Sequence, residues 1–243
     1  MSSPLIFPCK EPIIAMASTI YNGDMKLTSN GGADNRNKFM KYLYVAIPGA
    51  ELFIPTVVHG NNIMILNEKS SVNFREKVDG LITSRKGIFI GITYADCPSV
   101  LLAGETSGKN PVIAAIHAGY QGVTKKIILK AVRKMAEEME VRRKTLRATI
   151  GPSICGKCYE FGESALSLFR EYPKHYVKEK GDKSGKYLVD LKGIIGDQLR
   201  MSGVRHVYTS PECTYETSHL FSQRRDRKDP IEAGITIIGI KKW

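Results

Sequence analysis

The sequence has no long apolar run, few cysteines and few histidines, and the first two shortages each exclude a class of protein. No apolar stretch approaches the roughly 18 residues that a membrane-spanning helix needs, so we expect no membrane segment. Residues 1–12 lack the basic part and the unbroken apolar part of a secretory signal, so we expect a cytoplasmic protein. Five cysteines in 243 residues are sparse and odd in number, which argues against a disulfide framework and predicts free thiols.

Acidic residues are outnumbered by basic ones, and the net charge is +12. Such a charge is compatible with a nucleic-acid partner. The basic residues are scattered along the chain, however, and no RNA-recognition or helix-turn-helix motif accompanies them. We therefore expect no nucleic-acid partner, and we interpret the charge as a solvated basic face or as attraction for an anionic substrate.

Short β-branched runs alternate irregularly with amphipathic segments along the chain. The runs predict strands at residues 13–17, 52–58, 87–93, 112–116, 146–150, 204–208 and 234–240, the last of them deep in a sheet. The amphipathic segments predict helices at residues 35–43, 123–140, 164–171 and 190–201. Because no regular strand–helix–strand period is present, we expect an α+β fold of mixed β-sheets flanked by helices. No repeat or change of composition divides residues 1–243, which are expected to form a single compact domain.

His59, Cys97 and His117 each lie in a glycine- or proline-containing turn that is predicted to follow a buried strand. Imidazole and thiolate ligands favour zinc or copper over magnesium or calcium. Three ligands from separate strand ends leave one coordination position open, which is typical of a catalytic metal rather than a structural one. The sequence therefore predicts a soft-metal site, and two polar loop histidines with one buried cysteine are the alternative interpretation.

The same three residues permit a second mechanism. A cysteine beside a histidine is a nucleophile–base pair, as in cysteine hydrolases, and a thiolate serves either as a ligand or as a nucleophile. Asp96 precedes Cys97 and is expected either to cap a turn or to orient one of the histidines.

The turn that follows His117 is a candidate for anion binding. Gly119, Tyr120, Gln121 and Gly122 lead into a predicted helix and would present backbone N–H groups to phosphate or to a carboxylate. An ordinary strand–helix connection is the simpler interpretation, and the nearness of His117 favours the functional one.

Two further motifs carry reactive or charged side chains. Cys155 and Cys158 form a Cys-x-x-Cys pair, which alone suggests redox chemistry or half of a zinc finger. No second pair is present in the sequence and Cys213 has no partner there, so we interpret Cys155 and Cys158 as packed turn residues, with a redox role as the alternative. Arg224 and Arg225 follow an aromatic residue, and one guanidinium group of such a pair can face inward to an anionic or planar substrate. Arg225 is our candidate for that role, and a plain surface pair is the alternative.

Eight short motifs follow one another from about residue 50 to the C-terminus. They are Val58-His59-Gly60, Val78-Asp79-Gly80-Leu81-Ile82-Thr83, Ala95-Asp96-Cys97-Pro98, His117-Ala118-Gly119, Ile150-Gly151-Pro152-Ser153-Ile154, Cys158-Tyr159-Glu160, Cys213-Thr214 and Phe221-Ser222-Gln223-Arg224-Arg225. Together and in this order, they resemble the laccase-domain family of YfiH-like proteins, which is also described as the multicopper polyphenol oxidase or purine nucleoside phosphorylase family.

The resemblance implies a YfiH-type domain of mixed sheets and helices, with a zinc ion bound by His59, Cys97 and His117. It implies phosphorolysis of purine nucleosides, including methylthioadenosine, with adenosine deamination alongside. Purine nucleosides and phosphate are then the expected partners of a monomer or homodimer. Copper-dependent oxidation of phenols is the older assignment of the family.

The number of histidines helps to choose between these activities. A multicopper centre needs roughly ten histidines, because imidazole is the main ligand of such copper sites, and this chain has five. We therefore predict a zinc-dependent purine nucleoside phosphorylase. Three alternatives stay open: a polyphenol oxidase with a single copper, a hydrolase that uses Cys97, and a non-catalytic zinc-binding module.

The chain departs from the family pattern close to the predicted metal ligands. Val57 stands where a glutamine is usual, Tyr120 and Gln121 replace a usual Trp-Arg, and the Gly-Arg step after the double arginine is missing. The substitution at Gln121 removes a positive charge from the predicted anion site. We therefore expect an intact metal set with reduced or altered substrate specificity.

Overall fold

Two β-sheets packed face to face form the centre of the structure, a computed structural model that describes residues 5–44, 49–70, 76–182 and 184–242. Their inner faces meet in a core to which Ile90 and Ile238 contribute from the first sheet and Leu101 and Ile113 from the second. None of these four side chains is more than 2% exposed. Helices cover the outer faces, so the predicted α+β fold of mixed sheets and flanking helices is confirmed.

The first sheet has five strands. In spatial order they are β1 (Leu5–Ile6), β2 (Ile13–Ala17), β14 (Gly234–Ile240), β6 (Ile88–Tyr94) and β3 (Glu51–Phe53). The central strand β14 is buried along its whole length, as its almost continuous apolar sequence predicted. It pairs antiparallel with β2 and β6, whereas β3 runs parallel to β6.

The second sheet has six strands and a third, smaller sheet has three. In spatial order the second sheet contains β13 (His206–Thr209), β9 (Arg147–Ile150), β7 (Ser99–Glu105), β8 (Pro111–His117), β5 (Gly80–Thr83) and β4 (Ile63–Ile65). The third contains β10 (Glu160–Gly162), β12 (Lys186–Val189) and β11 (Val177–Glu179). β7 and β8 pair antiparallel along seven residues each and are the two central strands of the second sheet.

Five α-helices complete the described structure, together with four short 3-10 helices. The α-helices are α1 (Gly32–Tyr44), α2 (Tyr120–Thr124), α3 (Ile127–Glu137), α4 (Leu191–Met201) and α5 (Gln223–Asp226). The 3-10 helices are Ile20–Asn22, Arg143–Thr145, Glu163–Phe169 and Lys174–Tyr176. α1 packs on the first sheet through Phe39 and Met40, and α3 and α4 pack on the second sheet.

The helix predicted at residues 123–140 is divided into α2 and α3. The break falls at Lys126, which adopts a left-handed conformation with a φ of 60°. The carbonyl of Val123 accepts hydrogen bonds from Gln198 Nε2 and Tyr172 Oη at 3.0 and 3.1 Å, in addition to the backbone N–H of Lys126. Tertiary hydrogen bonds therefore end the first helix where sequence periodicity alone predicted continuity.

Two other predicted elements differ from the structure. The strand predicted at residues 52–58 ends at Phe53 because the following backbone groups bond elsewhere: the N–H of Thr56 to the carbonyl of Glu76, and the N–H of Val58 to the carboxylate of Asp79. The helix predicted at residues 164–171 is the 3-10 helix Glu163–Phe169.

One end of the sandwich gathers chemically reactive side chains. The chain crosses there from β6 in the first sheet to β7 in the second, and Cys97 lies in that crossing. Ser99 at the start of β7 pairs with His117 at the end of β8, which brings Cys97 and His117 together. The backbone N–H of His117 also donates to the carbonyl of Asp79, immediately before β5, at 2.7 Å.

Candidate metal centre and the cavity beside it

His59, Cys97 and His117 converge at this end of the sandwich. Their ligand atoms all lie within 4.8 Å of one another. The two imidazole rings meet edge to face with centroids 4.7 Å apart. His117 is buried, Cys97 is half-buried and His59 is exposed, so the cluster extends from the core to the surface.

Asp79 holds both histidines in place. Its carboxylate is fully buried and accepts the backbone N–H groups of Val58 and Gly60, on either side of His59, at 3.1 and 2.8 Å. The same carboxylate lies 3.5 Å from Nδ1 of His117. A carboxylate on one ring nitrogen orients a histidine so that the other nitrogen faces a ligand. Asp79 therefore has the orienting role that the sequence offered for Asp96, and in the sequence Asp79 is marked only by its position in a family motif.

Asp96 instead fastens together the loops around Cys97. Its φ of 88° gives the left-handed backbone of the turn that presents Cys97. Its carboxylate accepts the hydroxyls of Thr214 and Ser222, each at 2.7 Å, and the backbone N–H of Arg224 at 2.6 Å. The turn-stabilising interpretation of Asp96 therefore agrees with the structure better than the histidine-orienting one.

Electrostatics favour a thiolate at Cys97. Burial opposes ionisation of Cys97, but hydrogen bonds and charge from His117 and His59 outweigh it and lower the pKa of the thiol to about 6. Burial also opposes protonation of His117, and contacts with Asp79 and Cys97 reverse that effect and raise its pKa. The pKa of Asp79 is lowered despite its burial, because His117 and two backbone N–H groups stabilise the carboxylate.

Two glycines permit this close packing. A Cβ on Gly119 would lie 2.9 Å from Cε1 of His117 and 3.2 Å from Sγ of Cys97. A Cβ on Gly122 would lie 2.8 Å from the carbonyl oxygen of Gly60. Both glycines therefore have a steric reason to be glycine, independent of any anion.

The donor set suits a soft metal ion. Two imidazoles and a thiolate are ligands for zinc or copper, and three protein ligands leave a position for substrate or water. His117 Nδ1 has no hydrogen-bond partner other than the 3.5 Å contact with Asp79, the arrangement expected of a ligating histidine backed by a carboxylate. In the described part of the chain, this is the only group of three or more candidate ligands that includes a histidine.

A cavity of about 680 Å³ opens directly beside the cluster, and the three candidate ligands form part of its wall. Its volume is in the range of small-molecule binding pockets. Three basic residues, Lys26, Arg224 and Arg227, also line it, together with Tyr94 and Tyr159. The guanidinium of Arg224 lies over the ring of Tyr159, 5.4 Å from its centroid.

A family model described as multi-copper polyphenol oxidoreductase laccase matches residues 23–240. The chain belongs to this family. A purine nucleoside phosphorylase of Streptomyces coelicolor is 31% identical to it over 196 residues, covering 81% of this chain and 78% of the relative. A purine nucleoside phosphorylase of Aquifex aeolicus is 30% identical over 177 residues, covering 73% of this chain and 78% of the relative.

Solved structures of similar proteins confirm the fold. YlmD from Geobacillus stearothermophilus matches with a TM-score of 0.85 at 23% identity, over 100% of this chain and 98% of that one. The hypothetical protein YfiH of Bacillus licheniformis matches with a TM-score of 0.84 at 21% identity, over 99% and 98%. The predicted membership of the YfiH-like, laccase-domain family is confirmed by the family model and the relatives above, and the solved structures confirm its fold.

Within this laccase-domain protein, the turn predicted to bind an anion does not line the cavity. Gly119, Tyr120, Gln121 and Gly122 are absent from its wall. Tyr120 packs edge to face on Phe161 with centroids 5.4 Å apart, and Gln121 Nε2 donates to Tyr120 Oη at 3.1 Å. A role of this turn in substrate binding remains a prediction.

The two adjacent arginines have different surroundings. Arg225, the candidate from sequence, also lies off the cavity wall, and its guanidinium donates to backbone carbonyls of Thr214, Thr217 and Leu220 at 2.6–3.1 Å. Arg224 is the one that lines the cavity. Val57, one of the departures from the family pattern, lines it as well.

No helix of the described residues is long and apolar enough to cross a membrane.

Proposed function

We propose that this protein is a cytoplasmic, zinc-dependent purine nucleoside phosphorylase whose substrates occupy the cavity beside His59, Cys97 and His117. One observation carries the proposal: the three candidate metal ligands line a cavity of about 680 Å³ that is also lined by three basic residues. A cavity of this size accommodates a nucleoside and a phosphate together. The names of the relatives from Streptomyces coelicolor and Aquifex aeolicus support the same activity.

In phosphorolysis, the bond between the ribose C1′ and the purine nitrogen breaks, and an oxygen of phosphate forms a new bond to C1′. The phosphate must therefore be held against the sugar in spite of its charge. Lys26, Arg224 and Arg227 supply positive charge on the cavity wall for this purpose. Arg224 is held by its own contacts with Tyr159 and with the carbonyl of Glu160, at 3.1 Å to the latter, so it is preorganised.

His59, Cys97 and His117 would hold the zinc, with Asp79 orienting His117 from behind. When bound, zinc supplies a Lewis acid for a substrate heteroatom or for water. Activation of water at such a position would also account for adenosine deamination. We include deamination and methylthioadenosine phosphorolysis in the proposal as further activities of the same cavity, in a monomer or homodimer formed by a single 243-residue domain.

The test is an assay of the purified protein, with its metal content measured, on inosine, adenosine and methylthioadenosine with and without phosphate. We expect free base and ribose 1-phosphate, or its methylthio analogue, to appear only with phosphate. Ammonia release from adenosine reports deamination separately. Arg224→Ala is expected to raise the KM for phosphate. A folded protein with one zinc at His59, Cys97 and His117 and no phosphate-dependent base release would contradict the proposal.

A hydrolase that uses Cys97 is the second candidate, and one observation favours it. Cys97, His117 and Asp79 form a chain of thiol, imidazole and carboxylate, and the pKa of Cys97 is lowered to about 6. A metal-stripped protein that hydrolyses esters or amides and loses this activity on alkylation of Cys97 would support the second candidate. Activity that is lost on stripping and regained with zinc supports the first.

A further inference from the structure

A second cluster of sulfur atoms lies outside the cavity. Cys213 has no partner in sequence, but the structure places it against the turn that contains Cys155 and Cys158. Ligand atoms of these three cysteines and of Glu216 all lie within 4.8 Å of one another. None of the four residues lines the cavity. The interpretation of Cys155 and Cys158 as an isolated pair of turn residues is therefore incomplete.

Short-range contacts hold the members of this cluster together. The N–H of Cys155 donates to Sγ of Cys213 at 3.3 Å, and Sγ of Cys155 lies 4.0 Å from a carboxylate oxygen of Glu216. The N–H of Cys158 donates to the carbonyl of Cys155 at 3.0 Å and closes the turn between the two cysteines.

We propose that Cys155, Cys158, Cys213 and Glu216 bind a second, structural metal ion, a thiophilic divalent cation such as zinc. The Cys-x-x-Cys spacing is that of ligand pairs in structural zinc sites. Zn–S bonds of about 2.3 Å in a tetrahedron place sulfur atoms about 3.8 Å apart, a separation compatible with the observed grouping. Four protein ligands close the coordination shell and leave no position for a substrate.

A disulfide explains this arrangement less well than a metal ion does. A disulfide joins two thiols, whereas three thiols and a carboxylate meet here, and all of the cysteines in the structure are free. Metal binding displaces one proton from each of the three thiols into solvent and transfers no electrons, so it needs no oxidant. Cys213 is buried and Glu216 is exposed, which gives an ion access from the solvent side.

The proposed ion would join two segments that support the turn of Cys97. The Thr214 hydroxyl donates to Asp96, and the backbone N–H of Ile154 donates to the carbonyl of Asp96 at 3.0 Å. The two segments also touch directly, since Ser153 and Cys213 form a β-bridge. An ion held by Cys155 and Cys213 would therefore fix both partners of Asp96. Its role is structural, and it lies beyond the proposed nucleoside activity.

Metal stoichiometry of the 243-residue protein tests this proposal. After equilibrium dialysis against zinc, we expect two ions per chain in the unmodified protein. The double variant Cys155→Ser/Cys158→Ser is expected to retain one ion, and so is Cys97→Ser/His117→Ala. The matched control Cys9→Ser, which removes a cysteine outside both clusters, is expected to retain two. Glu216→Gln is expected to weaken the second ion about tenfold, because the three thiolates remain.

A second measurement does not depend on any variant folding. With cobalt in place of zinc, thiolate-to-cobalt absorption grows with the number of sulfur ligands. Two cobalt equivalents should therefore bind, and the thiolate absorption added by one of them should be about three times that added by the other. This ratio, in either order of binding, supports one site with a single thiolate and one site with three. A single ion per chain at saturation, with Cys155, Cys158 and Cys213 all freely alkylated, would overturn the proposal. So would a Cys155–Cys158 disulfide in the isolated protein. Neither result bears on phosphorolysis, which the nucleoside assay tests separately.

Discussion

The two sulfur-containing clusters of this protein differ in what surrounds them. His59, Cys97 and His117 open onto a cavity, whereas Cys155, Cys158 and Cys213 lie between two loop segments away from it. The first cluster has three candidate ligands and the second has four. An open coordination position is what catalysis needs, and a closed one is what a structural site needs. Cysteine thiols are therefore candidates for a catalytic site in the first cluster and for a structural site in the second.

The two clusters also differ in how their surroundings change the pKa values of their cysteines. Two histidines lower the pKa of Cys97 in spite of its burial. Burial and the neighbouring sulfur atoms raise the pKa of Cys155 and of Cys158 instead. Without a cation at pH 7, the lowered pKa of Cys97 and the raised pKa of His117 favour a thiolate beside an imidazolium, whereas the raised pKa values of Cys155 and Cys158 keep these two thiols neutral. The two clusters thus differ in the charges around their sulfur atoms.

The largest effect on activity is expected from removal of the Cys97 thiolate in the cluster of His59, Cys97 and His117, which we call the open cluster. Cys97→Ser should lose the metal ion and lower activity by about 10³-fold or more, because a catalytic metal contributes several kcal/mol of transition-state stabilisation. Cys155→Ser should retain more activity, since its cluster does not touch the cavity. Metal content and phosphorolysis rate are measured on the same samples. Equal losses in the two variants would abolish the functional distinction between the clusters.

A smaller effect is expected from crowding the open cluster. Gly119→Ala would place a methyl group 2.9 Å from His117 and 3.2 Å from Cys97. We expect a loss of metal affinity of about 10–100-fold, the range seen when groups that orient ligands are changed, with about 1–3 kcal/mol of destabilisation. Gly162→Ala is the matched control, because a Cβ there meets nothing within 4 Å and φ is −77°. Metal competition titration gives the affinities, and similar values for both variants would show that the packing is not restrictive.

A third comparison separates the two adjacent arginines. Arg224→Ala should raise the KM for phosphate about tenfold with little change in thermal stability, since Arg224 lines the cavity. Arg225→Ala should instead destabilise the fold by about 2 kcal/mol, because hydrogen bonds from a charged group to loop carbonyls are lost. Thermal unfolding and phosphate titration are carried out on both. A larger KM effect in Arg225→Ala would restore the role predicted for Arg225 from sequence.

The strands and helices that are specified by a local sequence pattern were predictable from the sequence. The strands at residues 13–17 and 234–240 and the helix that begins after Asp190 were predicted with accurate or nearly accurate bounds, because apolar periodicity and an N-cap specify them locally. The convergence of His59, Cys97 and His117 was predicted from their positions in turns and is present in the structure.

Interactions between distant segments were not predictable in this way. The break at Lys126 depends on Gln198 and Tyr172, which compete for a helix carbonyl from far along the chain. The support of His117 by Asp79 and the approach of Cys213 to Cys155 depend on strand pairing and loop crossings. The local sequence around Asp79 and Cys213 does not indicate these contacts. Contacts of this kind are specified only by the tertiary structure.

The smallest expected effect is a difference in thiol reactivity between the two clusters in metal-free protein. The pKa of Cys97 is lowered to about 6, so its thiolate is present above that pH and is lost as the pH falls through it. The pKa values of Cys155 and Cys158 are raised, so both stay protonated at pH 7. A thiolate of low pKa is also a weaker nucleophile, which offsets part of the advantage of Cys97.

Iodoacetamide labelling between pH 5 and 9, followed by peptide mass spectrometry, measures each rate separately. We expect the Cys97 rate to reach half its maximum near pH 6 and to become constant by about pH 7. His59→Asn removes one of the two groups that lower this pKa and should shift the profile of Cys97 to higher pH without changing that of Cys158. Parallel profiles for Cys97 and Cys158 would mean that the charges around Cys97 do not set it apart, and that only the number of candidate ligands distinguishes the two clusters.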